Sequence, residues 1–383
     1  MGYVYVEIEK SQATKKTNTA CGDVVLIDRD QNSTIIILAD GMGSGVKASI
    51  YATMCVSRLR ELLKCGFTLR QAFAAMVRTM NQAARENLPY AVFSIARIIN
   101  DGLGVVLSFE MPPPIYISKG NATVLKGRST TVEKSVITET NCYLSVGDAL
   151  LLVSDGVTQA GIGRGLPMGL GPEGVCKIIN GILSDGRKLY EIPHQLQTKI
   201  YSLCNNNNDD DITSILAYSR IGAIANVLTG PPINKSRDYE VCRKFFSMDG
   251  TKIVCGGTTA SIVSKYLNKR IDIDDTFANH FTPPKYSIEG VDLVTEGAVT
   301  LNQLYNILDE DRSLMDEQNP VTELYDYLMN ADRINFFVGT SYNPATDNIG
   351  FVQQGLLSRK KIIPLLAARF RELGKVVVIE EID

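Results

Sequence analysis

Histidine is scarce in this chain of 383 residues, which has only His194 and His280. Zinc sites built on several imidazoles, and acid–base schemes that rely on them, have little to work with. No Cys-x-x-Cys pair occurs among the 8 cysteines, so neither a zinc ribbon nor a redox dithiol is written here. Most of these thiols are expected to be reduced, buried packing residues. No apolar run reaches the ~20 residues of a membrane-crossing helix. Residues 1–10 alternate acidic and aromatic side chains instead of carrying a basic-then-apolar targeting signal. An excess of positive charge is missing too, with 39 Lys and Arg against 42 Asp and Glu and a formal net charge of −3. Proteins that live on phosphate backbones or anionic lipid carry the opposite balance, so neither nucleic acid nor membrane is expected as a partner, and the cytoplasm is the expected location.

What is present is a globular composition, 45% apolar and 21% charged, enough apolar surface to offset chain entropy. At roughly 150 residues per domain, the length makes two domains the default. Residues 3–9 alternate at period two, and the β-branched runs 24–28 and 34–39 flank a turn at Asp30-Gln31-Asn32-Ser33, which predicts a strand and then a hairpin. Apolar residues at helical spacing over 46–64 and 69–85 predict two consecutive helices. Short strands are expected at 92–99, 104–110, 115–118, 123–125 and 149–153, helices around 172–183 and 190–204, and a strand at 212–218 after the polar tract 205–211. Strand runs set apart from helix pairs indicate an α+β architecture. A linker is expected over 220–236, which contains Gly230-Pro231-Pro232. Beyond it strand-like and helix-like segments alternate, which predicts a smaller α/β domain over 237–383 with a mainly parallel sheet.

Asp recurs in the first half in one grammar, an apolar strand that ends or begins at an acidic turn. The four elements are Cys21-Gly22-Asp23, Leu38-Ala39-Asp40-Gly41-Met42-Gly43-Ser44-Gly45, Val153-Ser154-Asp155-Gly156 and Asp209-Asp210-Asp211-Ile212-Thr213. Taken singly each is an ordinary turn signal. As a set they can gather at one sheet edge, Asp23 and Asp40 meeting across the hairpin with Asp155 and Asp210 joining from other strands. Clustered carboxylates repel unless cations neutralise them, which points to hard divalent ions with oxygen ligands, Mg²⁺ or Mn²⁺. Two such ions acidify water for in-line displacement at phosphorus.

In that order and within that strand and helix pattern, the set resembles the metal-dependent protein phosphatases of the type 2C superfamily. It is most similar to the bacterial branch of the sporulation stage II protein E phosphatase and the regulators of the sigma-B pathway. The likeness covers about residues 1–219 and implies a β-sandwich flanked by helix pairs. It also implies a serine/threonine phosphoprotein phosphatase acting by direct attack of metal-activated water. By the same resemblance, Asp40 bridges two Mn²⁺ or Mg²⁺ ions, Gly41 offers its carbonyl oxygen to the second, Asp155 and Asp210 complete the coordination of the first, and Asp23 lies near the second ion. Asp40, Asp155 and Asp210 are thus the expected catalytic set. Three adjacent acids leave the register among Asp209, Asp210 and Asp211 open, with Asp210 favoured and Asp211 expected to orient the loop. The Arg and His that some relatives use for substrate phosphate and proton donation have no counterpart before Asp40; Lys15 and Lys16 stand nearby and are more simply a solvated pair. Lys47 is a candidate phosphate contact or, more simply, a helix-surface lysine. The implied partner is a phosphorylated regulatory protein such as an anti-sigma-factor antagonist. The helix pair after Asp40 is placed to respond to the second domain or to a second copy of the chain in a homodimer.

In the second half, Cys255-Gly256-Gly257-Thr258-Thr259 reads as a strand end, glycine turn and Thr-bearing helix start. It is either an anion site or a plain βα turn. Glu296 and Gly339-Thr340-Ser341 end two further strands. Together these predict one ligand crevice. The Gly-Gly-Thr-Thr turn resembles the sugar-phosphate-binding domains of sugar isomerases and DeoR-type regulators, and that resemblance implies a sugar phosphate, with a nucleotide as the alternative ligand. An enzyme using Glu296 as acid or base is an alternative there, and a phosphatase-like scaffold without turnover is the alternative for the first half.

Overall fold

The structure is a computed structural model describing residues 3–15, 19–132, 135–205, 208–274, 285–315, 319–342 and 355–383. Lys16, His280 and residues 206–207 of the polar tract lie outside them. Two compact units divide the chain, one of Val4–Asp28 with Asn32–Ile221 and one built mainly from Gly222–Asp383.

In the first unit, β1 (Val4–Ala13) is followed by β2 (Asp23–Arg29), β3 (Ser33–Gly41), α1 (Gly45–Lys64) and α2 (Leu69–Arg85). Then come β4 (Ala91–Ile99), β5 (Leu103–Phe109), β6 (Ile115–Ser118), β7 (Asn121–Val124), β8 (Arg128–Val132), β9 (Ser135–Tyr143) and β10 (Ala149–Val153). A single turn, α3 (Asp155–Thr158), leads to α4 (Gly171–Ser184), α5 (Ile192–Leu203) and β11 (Ile212–Ile221). The strands form a five-stranded sheet in the order β1-β11-β10-β6-β7 and a six-stranded sheet in the order β2-β3-β4-β5-β9-β8.

Alternation along the central strands decides the layering. Ile36 and Leu38 of β3 pack with Leu150 and Leu152 of β10 between the sheets. Ile35, Ile37 and Ala39 turn outward onto Ala52, Val56 and Leu59 of α1 and Phe73 and Met76 of α2. Leu151 and Val153 turn outward onto Ile179 of α4 and Leu196 of α5. Such strands are buried on both faces, which is why their sequences read as continuous apolar runs. The expected sandwich between two helix pairs is what forms. The sequence reading left out β8 and β9: β8 is an exposed edge strand of sequence RSTTV, and an edge wetted on both sides carries no hydrophobic period.

The second unit contains β12 (Ile224–Thr229), α6 (Asp238–Ser247), β13 (Thr251–Cys255), α7 (Gly257–Leu267), β14 (Asp272–Asp274), β15 (Lys285–Ser287) and β16 (Leu293–Thr295). It continues through α8 (Ala298–Ile307), α9 (Pro320–Asn330), β17 (Arg333–Gly339), α10 (Arg359–Glu372) and β18 (Val376–Ile382). The sheet order is β14-β15-β16-β13-β12-β17-β18. Strands β16 through β18 run parallel, and β14 and β15 add an antiparallel edge. Helices α6 and α7 cover one face and α8, α9 and α10 the other, the doubly wound arrangement. One expectation is corrected. Residues 220–236 do not form a linker, because they contain β12, which pairs with β13 and β17 in the middle of this sheet. The Gly230-Pro231-Pro232 turn that suggested a linker is the loop leaving that strand. Among the described residues no helix is long and apolar enough to cross a membrane.

Candidate functional site

Strand pairing brings the acidic turns together. Val153 lies opposite Ser214 in the β10–β11 ladder, so the chain leaving β10 at Asp155 and the chain entering β11 at Asp210 and Asp211 share one sheet end. Ser154 fastens them, its Oγ accepting from the Thr213 N–H at 2.9 Å and its own N–H donating to the Thr213 carbonyl at 3.0 Å. Asp40 closes β3 and Asp23 opens the neighbouring β2. The Gly41 N–H donates to the Gly22 carbonyl at 3.3 Å. Asp23, Asp155 and Asp210 are the charged neighbours of Asp40. Gly156 is required by this closeness, since a Cβ there would stand 2.1 Å from the Asp211 carbonyl oxygen and 3.3 Å from the Asp210 Cβ.

The three adjacent acids take three different parts. Asp209 pairs with Arg164, whose Nη2 donates to it at 2.9 Å. Asp211 accepts the backbone N–H groups of Lys15 and Gly22, both at 2.6 Å, and so holds the strand that presents Asp23. Asp210 accepts the Asp211 N–H at 2.9 Å and feels the charge of Asp155, opposed by that of Lys15. The geometry therefore leaves Asp210 turned toward the cluster. Ser154 and Arg164 were not singled out by sequence reasoning. Arg164 sits in the glycine-rich stretch 161–171, on which no motif fell.

Electrostatics mark the cluster as short of positive charge. Burial, joined by the charges of Asp23, Asp155 and Asp210, pushes the Asp40 carboxyl up to about 9. Burial pushes Asp23 up to about 7, against the pull of the nearby Thr213 and Ser154 hydroxyls and with the charges of Asp211 and Asp155 adding to it. Those hydroxyls do not bond it: both Asp23 carboxylate oxygens are buried without a hydrogen-bond partner, as is Oδ1 of Asp155, whose Oδ2 accepts from Gln159 at 2.8 Å. Asp210 is raised as well, first by burial. A buried carboxylate without partners is resolved by a proton or a cation. Orphaned, hard oxygen donors suit Mg²⁺ or Mn²⁺ by chemistry. As the side chains stand, no group of three or more His, Cys, Asp or Glu among the described residues converges on one ion position; the fit thus rests on the donor chemistry of mutually repelling carboxylates. Lys47 is exposed on the first turn of α1, and His194 is exposed on α5. All 8 cysteines are free, five of them buried.

In the second unit, Gly256, Gly257, Thr258, Thr259 and Glu296 line one cavity of about 760 Å³. Glu296 accepts from the Tyr286 hydroxyl at 2.7 Å.

A sequence profile of the stage II sporulation protein E family matches residues 30–220. No curated protein matches the chain by sequence. Among solved structures, the phosphatase domain with a regulatory-domain fragment of Bacillus subtilis SpoIIE is similar at 16% identity and a TM-score of 0.49, over 57% of this chain and 63% of that one. The RsbU and RsbW domains of a Mycobacterium tuberculosis protein align at 18% identity and a TM-score of 0.48, over 64% and 69% of the two chains. RsbX, solved with magnesium, aligns at 18% identity and a TM-score of 0.40, over 56% of this chain and 98% of that one.

Proposed function

Through residues 30–220 the chain belongs to the stage II sporulation protein E family, and from that premise we propose that it is a metal-dependent serine/threonine phosphoprotein phosphatase of the regulatory type. The observation that carries this reading is the gathering of Asp23, Asp40, Asp155 and Asp210 at one end of the sandwich with three buried carboxylate oxygens unpartnered. Asp40, Asp155, Asp210, Asp23 and the Gly41 carbonyl would hold a pair of Mn²⁺ or Mg²⁺ ions. When bound, those ions supply acidified water for attack on phosphorus and positive charge to offset the phosphate.

The chain's own contribution is positioning. Asp211 fixes the Gly22 and Lys15 amides, Ser154 locks the end of β10 to β11, and Gln159 holds one Asp155 oxygen while the other stays free. The attacking oxygen joins phosphorus as the ester P–O bond breaks, and the departing side-chain oxygen takes a proton to become the serine or threonine hydroxyl. A protein substrate is supported by an exposed apolar stripe on the helix that follows Asp40: Val46 at 64%, Ile50 at 49% and Met54 at 63% exposure, spaced by one helical turn, with Met42 at 52% in the loop before it. The partner would be a phosphorylated regulatory protein.

The test is hydrolysis of p-nitrophenyl phosphate and a phosphoserine peptide by the full chain. Turnover should require Mn²⁺ or Mg²⁺, stop in EDTA, and fall by about a thousandfold or more in Asp40→Asn and Asp155→Asn. Absence of turnover on both substrates with either metal would favour the scaffold reading instead.

A further inference from the structure

We propose that the crevice at the carboxyl edge of the second unit's sheet binds a phosphorylated small molecule, with the phosphate held by the start of α7 and by Arg359. Strand order turns around β12. From there the chain runs outward to β13 and β16 on one side and to β17 and β18 on the other. A doubly wound sheet opens a crevice at such a reversal, because the loops on either side of it leave toward opposite faces. Here the loops after β12, β13, β16 and β17 and the start of α10 line one cavity of about 760 Å³, within the range that holds drug-sized ligands.

Its lining is rich in donors and poor in acceptors. The N-caps of α7, α8 and α10 are Gly256, Gly297 and Ser358, and none makes a side-chain capping bond. In the same unit α9, which starts elsewhere, is capped by Asn319 accepting from Val321 and Thr322 at 2.9 Å. Three sets of first-turn amides thus open toward one space, each carrying partial positive charge. Arg359 adds a full charge. Its guanidinium lies against the backbone of Gly230, where a Cβ would come within 2.0 Å of Cζ, and its Nη2 donates to the Ser341 carbonyl at 2.9 Å. Its Nε is buried with no partner, and burial lowers its pKa. Lys235 and Lys360 also line the cavity, whereas Glu296 is the one acid among the described lining residues and is engaged by Tyr286.

Uncapped amides, a partly satisfied guanidinium and two ammonium groups offer more donors than the two oxygens of a carboxylate can take up. A phosphate monoester presents three oxygens and a double charge. The cavity exceeds what a bare phosphate fills, so the ligand carries an organic body, either a sugar or a nucleoside.

Calorimetric titration of the full chain tests this, with EDTA present so that divalent cations cannot recruit phosphate to the acidic cluster of the first unit. The probes are inorganic phosphate, ribose 5-phosphate and AMP, with ribose and adenosine as unphosphorylated controls. Ribose 5-phosphate or AMP should bind about tenfold or more tightly than its control and than inorganic phosphate; which of the two binds separates a sugar phosphate from a nucleotide. Arg359→Met should weaken binding about tenfold or more, and Lys360→Met, at an exposed position that folding does not depend on, about threefold. The proposal is overturned if neither organic phosphate binds at millimolar concentration, if inorganic phosphate or the controls bind as well, or if Lys360→Met and a folded Arg359→Met both leave affinity unchanged.

Discussion

Two sheet ends in this molecule solve the same topological problem with opposite charge. At the end of the sandwich, antiparallel strands deliver Asp23, Asp40, Asp155 and Asp210, and the result is buried carboxylate oxygens without donors. At the carboxyl edge of the doubly wound sheet, parallel strands deliver helix starts without caps, together with Arg359 and two lysines. At the antiparallel end, β10 and β3 also lead into helix starts, but carboxylates placed at those junctions set the chemistry. A parallel sheet must send each strand into a helix, and the helix dipole decides it before any side chain is chosen. The first end thus presents unpartnered carboxylate oxygens, and the second presents amide, guanidinium and ammonium donors.

The sharpest way to break this comparison is Asp40→Asn, expected to lower metal-dependent phosphomonoester hydrolysis by about a thousandfold or more. A loss of less than tenfold in steady-state rates would remove Asp40 from the centre of the acidic end. Gly156→Ala comes next. Its methyl would be forced within 2.1 Å of the Asp211 carbonyl, and a destabilisation of about 1 to 3 kcal/mol in urea unfolding is expected from such overpacking. Turnover should fall with it, whereas Leu366→Ala in the core of the second unit should cost about 2 to 5 kcal/mol without lowering the rate of the folded enzyme.

A third test uses pH. Asp40 is held at about 9 and Asp23 at about 7 in the folded chain, against 3.8 for an ordinary Asp. Between those values the folded state keeps protons that the unfolded state sheds, so stability without metal must fall as pH rises from about 4 to about 9. Mn²⁺ or Mg²⁺ should restore it, raising the melting midpoint by several degrees at pH 8.5 and by less at pH 5.5. A pH-independent metal shift, read by thermal denaturation, would show that these carboxylates do not meet the ion. The smallest effect belongs to Lys47→Met, expected to raise KM for a phosphopeptide by no more than about threefold, since an exposed lysine attracts phosphate only weakly through water.

Much of the sandwich was legible because its central strands are apolar on both faces and its helices α1 and α2 carry a clear period. The α2 segment was bounded by a real capping box, Thr68 with Gln71. The polar edge strand β8 was invisible for the reason that makes it an edge. Reading residues 220–236 as a linker failed at β12 because Gly-Pro-Pro punctuation lies at the end of a strand as readily as inside a linker, and a short apolar run such as IANVLT shows its role only when neighbours pair with it. Among the site residues, the order of the acidic turns was readable, but the choice among Asp209, Asp210 and Asp211 was not. Arg164 and the Lys15 and Gly22 amides, distant in sequence, take up two of the three.

By itself the sequence determined which residues carry charge at strand ends, which segments alternate and which run at helical spacing, since those properties are local. It also narrowed the chemistry of the first half to oxygen donors, because imidazole and paired thiols are nearly absent. Only the tertiary structure decided which acid faces the cluster, which carboxylate oxygens are left without partners, and that Arg359, over a hundred residues from Gly230, closes the same crevice. Those outcomes depend on strand register and on burial, and both are set by contacts between residues that the chain order keeps far apart.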